Sequence, residues 1–379
     1  MIPFIDLKTQ QARLRSDIDK RMAAVLDHGG YIMGPEVRAL EDELKDWSDA
    51  SEVISCSSGT DALLLALMGL GLRPGQGVIV PSFTFTASAE VMPMLGAIPI
   101  FAEVEEDSFN LDANRLEDAL RAGQEQGITI VGIIAVGLFG QPADMPAIQN
   151  FAKAHGLWVI DDAAQSFGTR IGDKKTGNMA DITCTSFFPA KPLGCYGDGG
   201  ALFTQNSAAA EIIRSARIHG QGKDKYHNER IGMTARLDTM QAAILQSKLT
   251  IFDDELKARQ RVADTYASLL ADKLAGQVTA PTLKPGRTSS WAQYVIRLPK
   301  GCDRSAVQAY LSEKSVPTAI YYPMPMHQQK PYSRYPVAKN GLSVTEALCA
   351  DVLALPMHPY LEAKTADEII SHLAAAISG

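Results

Sequence analysis

The sequence predicts an α/β protein with a mostly parallel central sheet sandwiched by helices, followed by a smaller α+β C-terminal domain. From about residue 50 to residue 205, helical segments alternate with short apolar strands, which is the rhythm of βαβ units. Residues 128–136 form a nearly uninterrupted apolar run, as expected of a central strand that is covered on both faces. The length of 379 residues exceeds what one hydrophobic core usually serves, so we expect two domains.

Each element is predicted from its local pattern. The helix that starts at residue 58 has capping residues at its beginning, namely Ser57, Ser58 and Asp61. Apolar residues at helical spacing predict helices over residues 7–26, 35–47, 58–69, 143–155, 238–260 and 304–314. Short apolar runs predict strands over residues 77–80, 98–101, 128–136, 157–160, 182–188, 201–204 and 291–298. We predict a large domain over residues 1–250, which includes the N-terminal helices, and a small domain over residues 251–379.

Composition and charge exclude several classes of protein. The chain is 46% hydrophobic and 21% charged, and its net charge of −7 argues against a general binder of nucleic acid or acidic membranes. The five cysteines include no CxxC pair and the seven histidines have no ligand spacing, so we expect reduced thiols and no metal site. No basic leader precedes an apolar stretch at the N-terminus, and no apolar run is long enough to span a bilayer. The cytoplasm is therefore the expected location, with no membrane contact.

Lys191 stands directly after the apolar run at residues 182–188. Pro189 and Pro192 exclude a helix around it, and Gly194 with the glycines at 197, 199 and 200 lets the backbone come close to a ligand. A rigid loop at a strand end suits an amine that must be aimed and partly desolvated, because desolvation lowers the lysine pKa and leaves a nucleophilic neutral amine. A surface lysine in a turn is the alternative.

Polar and aromatic residues also follow the ends of other predicted strands, where ligands gather in parallel sheets. Small residues at 57–62 lead into a helix N-terminus, which is either an anion site or a plain helix cap. Phe83 and Phe85 follow a strand, and one of them suits the face of a planar cofactor unless both belong to the core. Asp161 and Asp162 end a buried strand, where a protonated pyridine nitrogen or a structural arginine would offset the cost of burying a carboxylate.

Together these features are what pyridoxal phosphate requires: a lysine for covalent attachment, a carboxylate for the ring nitrogen, an aromatic on the ring face and a phosphate cup. Nearly end to end, the chain resembles the DegT/DnrJ/EryC1/StrS sugar aminotransferase family, a group of fold-type I pyridoxal-phosphate enzymes that act on nucleotide-linked ketosugars. The blocks that carry this resemblance are Tyr31-Ile-Met-Gly-Pro-Glu36, Ser58-Gly-Thr-Asp-Ala-Leu63, Pro81-Ser-Phe-Thr-Phe85, Asp161-Asp-Ala-Ala-Gln165, residues 186–200, Arg236-Leu-Asp-Thr-Met-Gln-Ala-Ala243 and Leu355-Pro-Met-His-Pro-Tyr360.

The resemblance implies a role for each matching residue. Lys191 attaches the cofactor and shuttles the proton, and Asp162 pairs with the pyridine nitrogen. Gln165 lies near the ring hydroxyl, and Phe85 stacks on the ring. The residues implied to surround the phosphate are Gly59, Thr60, Asp61 and Ser186.

The resemblance also implies a homodimer in which a neighbouring subunit completes each active site through a segment of the form Gly-x-Asn-x-Arg. Here the segment reads Gly232-Met-Thr-Ala-Arg236, so Thr234 stands where asparagine is usual and offers a hydroxyl instead. Arg236 is retained and is expected to meet the phosphate or a substrate acid, the alternative being a surface salt bridge.

Residues 185–200 and 321–327 most resemble the branch that aminates C3 of UDP-2-acetamido-2-deoxy-3-oxo-D-glucuronate, which makes a precursor of surface polysaccharides such as lipopolysaccharide. The resemblance predicts a ping-pong transamination with L-glutamate as the amino donor. Tyr321, Tyr322 and His327 form a stiff aromatic loop that either contacts the sugar or base or packs one domain on the other. Arg236 and His327 are the candidates for binding the uronate carboxylate.

Three rival functions compete with this assignment. The glycines of residues 69–75 suggest a dinucleotide-binding oxidoreductase, but they follow a helix and have the wrong spacing. A related sugar dehydratase would carry histidine in place of Lys191. A non-catalytic regulatory relative would not need Lys191, Asp162 and Gln165 together, yet all three are present. An aminotransferase for another 3-keto or 4-keto nucleotide sugar remains the nearest alternative.

Overall fold

The computed structural model describes residues 2–224 and 226–378. Its strands are β1 (Glu52–Cys56), β2 (Gly77–Pro81), β3 (Ile98–Ala102), β4 (Ile130–Val136), β5 (Trp158–Asp162), β6 (Arg170–Ile171), β7 (Lys174–Lys175), β8 (Ile182–Ser186), β9 (Gly200–Thr204), β10 (Tyr294–Arg297) and β11 (Val352–Leu355). Seven of them form the central sheet in the order β1-β9-β8-β5-β4-β2-β3. Two further pairs, β6 with β7 and β10 with β11, form small antiparallel sheets.

The direction of the strands fixes where a ligand site can form. Strands β3, β2, β4, β5 and β8 pair in parallel, whereas β9 is antiparallel to both β8 and β1. Of the seven strands, β9 alone therefore runs in the opposite direction. The carboxyl ends of the other six and the beginning of β9 lie at one edge of the sheet, which is where ligands bind in folds of this class.

Helices cover both faces of this sheet. The helices of the described chain are α1 (Leu7–His28), α2 (Pro35–Ser48), α3 (Gly59–Gly69), α4 (Ala87–Met94), α5 (Leu116–Gln124), α6 (Met145–His155), α7 (Ser207–Ala216), α8 (Thr239–Leu249), α9 (Phe252–Lys273), α10 (Arg304–Glu313), α11 (Ser343–Asp351) and α12 (Ala363–Ser378). Of these, α9, α10 and α12 pack together in the C-terminal part. In β1 and β9, Ile54 and Leu202 belong to one buried cluster and Val53 and Phe203 to another. Because side chains alternate along a strand, the two clusters lie on opposite faces of the sheet.

The C-terminal part of the chain has a core of its own and also returns to the large sheet. Residues of α9, α12, β10 and β11 form a separate buried cluster around Tyr266 and Tyr294. Met326 and Tyr332 instead pack into the core of the central sheet, and the backbone of Phe101 bonds to Pro336 and Ala338 at 2.9 and 2.8 Å. The division into domains at residue 250 stays a prediction.

The predicted α/β fold class is confirmed, and most predicted elements agree with the structure within a few residues. The helical stretch predicted over residues 238–260 consists of two helices, because α8 ends at Leu249 and α9 begins at Phe252. Asp161 and Asp162 are the last residues of β5, and the strand predicted over 182–188 ends at Ser186. Among the described residues, no helix combines the length and the apolar character that crossing a membrane demands.

Candidate active site

The loop between β1 and α3 lies against the end of β8. Ser58 is the N-cap of α3, and its hydroxyl accepts a hydrogen bond from the backbone N–H of Asp61 at 3.0 Å. Gly59 begins the helix so close to Ser186 that a Cβ atom on the glycine would lie 2.7 Å from the Cβ of the serine. Only glycine permits this approach, which brings a helix N-terminus and a serine hydroxyl to one place.

This junction has the chemistry of an anion cup. No acceptor in the described part of the chain takes the backbone N–H groups of Gly59 and Thr60, which open an 11-residue helix. Such N–H groups and the helix dipole favour a negative group. The backbone N–H of Asp61 donates to the hydroxyl of Ser58, and its carboxylate accepts from the hydroxyl of Ser57. Among the four predicted phosphate residues, Asp61 therefore offers no free donor.

Asp162 is buried at the end of β5, with 5% of its surface exposed. The hydroxyl of Ser88 donates to its carboxylate at 2.7 Å, and the N–H of Ala164 donates at 3.2 Å. Burial raises the pKa of Asp162, whereas these hydrogen bonds and the charge of Lys191 lower it. A buried carboxylate of this kind is stabilised by a cationic partner.

Lys191 lies in the loop that connects β8 to β9, near Asp162. Its backbone N–H donates to Phe188 at 2.8 Å, and the N–H of Cys195 closes the loop onto Phe187 at 2.7 Å. Burial lowers the pKa of Lys191, and the negative charge of Asp162 acts in the opposite direction. No described residue forms an ion pair with this amine, so it is available for chemistry.

An aromatic wall faces these two groups. Phe83 is 1% exposed and belongs to the core, whereas Phe85 is 53% exposed, which resolves which of the two is free to contact a ligand. The ring centroid of Phe85 lies 6.3 Å from that of Tyr322. The phenol of Tyr322 accepts a hydrogen bond from the amide of Gln165 at 3.3 Å, and burial raises the pKa of this phenol. The fold therefore brings together Phe85, Gln165 and Tyr322, although residues 85 and 322 are 237 positions apart in the sequence.

The remaining predicted substrate residues have different surroundings. Tyr321 is half-buried next to Tyr322, and burial raises the pKa of its phenol. Both ring nitrogens of His327 have partners, the hydroxyl of Ser82 at 2.8 Å and the carboxylate of Glu346 at 3.3 Å. His327 thus ties the C-terminal part of the chain to the loop after β2, and it would have to leave Glu346 to bind a substrate acid.

Thr234 and Arg236 contact each other and lie apart from the residues above. The hydroxyl of Thr234 bonds to the ring of His219 at 2.7 Å, and Arg236 donates to the same hydroxyl at 3.3 Å. Among the described residues, no carboxylate pairs with Arg236 and no hydrogen bond joins either residue to the other predicted site residues. The alternative of a surface salt bridge therefore has no support within this chain.

Some residues that shape the site were missed by the sequence analysis. Ser88, which bonds to Asp162, also contacts the hydroxyl of Thr84 at 3.1 Å. The spacing of four residues between Thr84 and Ser88 was the feature of the sequence that could have indicated this contact. Phe139, which donates its backbone N–H to Gln165 at 2.7 Å, carried no signal in the sequence.

Comparison with known proteins gives the family. The model of the DegT/DnrJ/EryC1/StrS aminotransferase family matches residues 12–374. A UDP-2-acetamido-2-deoxy-3-oxo-D-glucuronate aminotransferase from Pseudomonas aeruginosa is 45% identical over 362 residues, which are 96% of this chain and 96% of that protein. A DegT/DnrJ/EryC1/StrS aminotransferase from Brucella abortus has a crystal structure with a TM-score of 0.95 and 43% identity, and the match covers 99% of both chains. The structure of NtdA from Bacillus subtilis with bound cofactor PMP has a TM-score of 0.87 and 30% identity, over 99% of this chain and 83% of that one. The chain belongs to the DegT/DnrJ/EryC1/StrS aminotransferase family.

Proposed function

We propose that this protein is a pyridoxal-phosphate-dependent aminotransferase that moves an amino group from L-glutamate to C3 of UDP-2-acetamido-2-deoxy-3-oxo-D-glucuronate, for a polysaccharide precursor. The observation that carries the proposal is the buried carboxylate of Asp162 close to the amine of Lys191, together with the exposed ring of Phe85. The substrate is proposed from the 45% identity to the Pseudomonas aeruginosa enzyme.

The residues at the sheet edge fit pyridoxal phosphate. The uncapped N–H groups of Gly59 and Thr60, with the hydroxyl of Ser186, would hold the phosphate. Asp162 would hold the ring nitrogen, and Phe85 would cover one face of the ring. A side chain at position 59 would fill the phosphate cup, since its Cβ would press on Ser186 at 2.7 Å.

Each protein group then has a defined task. When bound, the cofactor supplies a ring that accepts the electron pair released at the carbon next to the amine. Asp162 keeps the proton on the ring nitrogen, because its buried charge is stabilised by that cation. Lys191 would take the proton from the α-carbon of the amino donor and return it to the neighbouring carbon, a task that is favoured because burial lowers the pKa of its amine.

The proposal includes a homodimer with shared active sites in the cytoplasm, where the five unpaired cysteines stay reduced. Ile231 is 89% exposed, and Tyr31, Ile32 and Met33 are 41–51% exposed, which is apolar surface suited to a partner subunit. Arg236, which has no carboxylate partner within the described chain, would reach the neighbouring site.

A subunit-mixing experiment tests the shared site. At a low concentration of the uronate sugar, Lys191→Ala is expected to be inactive and Arg236→Ala to retain about a tenth of the wild-type activity or less. A heterodimer of the two variants would have an intact lysine and an intact arginine together in one of its two sites. The mixture should recover roughly a quarter of the wild-type activity if each site draws on both subunits. No recovery in a mixture that mass measurement shows to contain heterodimers would contradict the shared site.

A substitution of Arg236 also tests whether the substrate is an acidic sugar. We propose that Arg236 binds the uronate carboxylate, so Arg236→Ala should lower kcat/KM for the uronate sugar by about tenfold or more relative to the neutral UDP-2-acetamido-2-deoxy-3-oxo-glucose. Equal losses for the two sugars would remove this role and favour the cofactor phosphate as the partner of Arg236.

The first experiment is the visible absorption spectrum of the purified protein after addition of pyridoxal phosphate, before and after L-glutamate. We expect a visible band that glutamate bleaches, and no band in Lys191→Ala. Lys248→Met is the matched control, because Lys248 is also buried and burial lowers its pKa to about 8, yet it lies in α8 outside the site. Failure of the wild type to develop any band would overturn the proposed function.

A further inference from the structure

We propose that Asn110 and the backbone N–H of Phe139 are positioning groups, which hold the amide of Gln165 so that only its NH2 faces the ring oxygen of the cofactor. The inference rests on the proposed function. It adds a buried asparagine that lies, in the sequence, outside every block of the family resemblance. Three observations carry it: the contacts of Asn110, the backbone of Phe139 and the partners of the Gln165 amide.

Asn110 closes the turn that follows β4. Its side-chain oxygen accepts the backbone N–H of Leu138 at 2.8 Å, and its side-chain nitrogen donates to the carbonyl of Gln141 at 2.9 Å. The residue is 1% exposed, so water does not replace these bonds readily. An amide offers a donor and an acceptor on two separate atoms, and the turn over residues 138–141 is therefore held at both ends.

The backbone of Phe139 within this turn is in the left-handed region, with φ +59°. Bulky residues rarely adopt this conformation, and it persists only where the surroundings impose it. Phe109, which directly precedes Asn110, also has a positive φ of +63°, and the two phenyl rings meet edge to face with centroids 5.2 Å apart. Two unfavourable backbone conformations thus belong to one packed unit around Asn110.

This unit aims one N–H group at Gln165. The backbone N–H of Phe139 donates to Oε1 of Gln165 at 2.7 Å, and a backbone N–H cannot act as an acceptor. The amide is consequently fixed with its oxygen towards Phe139 and its nitrogen towards the phenol of Tyr322, 3.3 Å away. A rotated amide would place two donors against each other at Phe139, so the reversed orientation is excluded while the turn is intact.

The fixed orientation has a chemical consequence. Gln165 offers donors, and no acceptor, to the space beside Tyr322 and Phe85. A donor stabilises the deprotonated form of a ring oxygen and thereby lowers the pH at which the lysine-bound cofactor loses its proton. Buried Tyr322, whose pKa is raised, stays neutral and can both accept from Gln165 and donate to a ligand. Asn110 would influence this pH without touching the cofactor, because it holds the turn whose Phe139 N–H orients Gln165.

The test compares the pH titration of the visible band in four proteins: wild type, Gln165→Glu, Asn110→Ala and Asn206→Ala. Asn206 caps α7 with its side-chain oxygen, so its loss serves as the control for a lost asparagine contact on another element. Gln165→Glu should raise the titration midpoint by about one unit or more, because a carboxylate replaces a donor. Asn110→Ala should raise it in the same direction by a smaller amount, and Asn206→Ala should leave it unchanged.

A second measurement needs no cofactor. Hydrogen exchange of the peptide that contains residues 138–141, followed by mass spectrometry, should accelerate in Asn110→Ala and in Gln165→Ala but not in Asn206→Ala. An Asn110→Ala protein that is folded, exchanges like the wild type and keeps its titration midpoint would overturn the inference. A wild type without a visible band would overturn the proposed function instead, while the exchange experiment would still decide whether Asn110 and Phe139 hold Gln165. If Asn110→Ala does not fold, an unchanged pH-titration midpoint of the visible band in Gln165→Glu would refute the proposed orientation of the Gln165 amide.

Discussion

Replacing Asp161 by asparagine removes a buried acid whose protonation should make the stability of this protein depend on pH. Asp161 is 1% exposed, and neither of its carboxylate oxygens has a hydrogen-bond partner among the described residues. Burial, followed by the charge of the adjacent Asp162, raises the pKa of Asp161 from its ordinary 3.8 to about 7. Asp161 is therefore expected to be largely protonated below neutral pH.

The size of the effect follows from the shift. Between the unfolded pKa of 3.8 and the folded pKa of about 7, the native protein holds a proton that the unfolded chain has released. The free energy of unfolding therefore falls as the pH rises through this window, at up to about 1.4 kcal/mol per pH unit and to a total of about 4 kcal/mol at most. Below this pH window Asp161 is neutral in both the native and the unfolded state, and its full contribution to the stability of the native protein is retained.

Asp161→Asn should abolish this dependence, because the amide does not titrate and can still meet the nearby hydroxyl of Thr183. We expect urea unfolding of the cofactor-free variant to match the wild type near pH 4 and to require clearly more urea than the wild type at pH 8. Asp162→Asn is the functional contrast, expected to lower turnover by roughly 10²–10³-fold while Asp161→Asn keeps it. Unfolding midpoints of wild type and Asp161→Asn that stay parallel from pH 4 to pH 8 would refute the reasoning.

Three further substitutions separate binding from stability. Phe85→Leu should weaken cofactor binding about three- to tenfold by loss of ring contact, measured by equilibrium dialysis, whereas a fall in thermal stability alone would contradict the exposed position of this ring. Gly59→Ala places a Cβ 2.7 Å from Ser186 and should release cofactor on gel filtration without unfolding the protein. Arg217→Met breaks a buried ion pair with Glu41 at 2.6 Å and should cost about 3–5 kcal/mol of unfolding free energy, with the visible spectrum unchanged in the folded protein.

The sequence was sufficient where structure is decided locally. The strand before Lys191, the prolines around it and the helix cap at Ser58 each depend on neighbours in the chain, and each agrees with the structure. Strand β1 was not predicted, since its partner is β9 and Glu52 pairs with Thr204 more than 150 residues later. Pairing over such a separation leaves no pattern in a single sequence.

The break within the helical stretch predicted over residues 238–260 was missed for a related reason. No glycine or proline separates α8 from α9, and the composition favours a helix throughout. The break at Thr250 and Ile251 comes from packing, because α8 lies against α1 and α2 while α9 lies against α12. Tertiary contacts overrode propensity. Asn110 was missed in the same way, since its partners, Leu138 and Gln141, lie about 30 residues away and its role exists only in the folded chain.

The closeness of Asp162 to Lys191 explains why a cofactor with a positive charge of its own would suit this site. Hydrogen bonds from Ser88 and from the N–H of Ala164 lower the pKa of the buried aspartate, and the charge of Lys191 lowers it further. Covalent use of the amine would remove that charge from its place, and an unpaired buried carboxylate is costly. A protonated ring nitrogen held by Asp162 would then supply a cation there instead. Asp162 and Lys191 are therefore electrostatically coupled: the cofactor that Lys191 would bind is also the group that would replace the lysine as the cation next to Asp162.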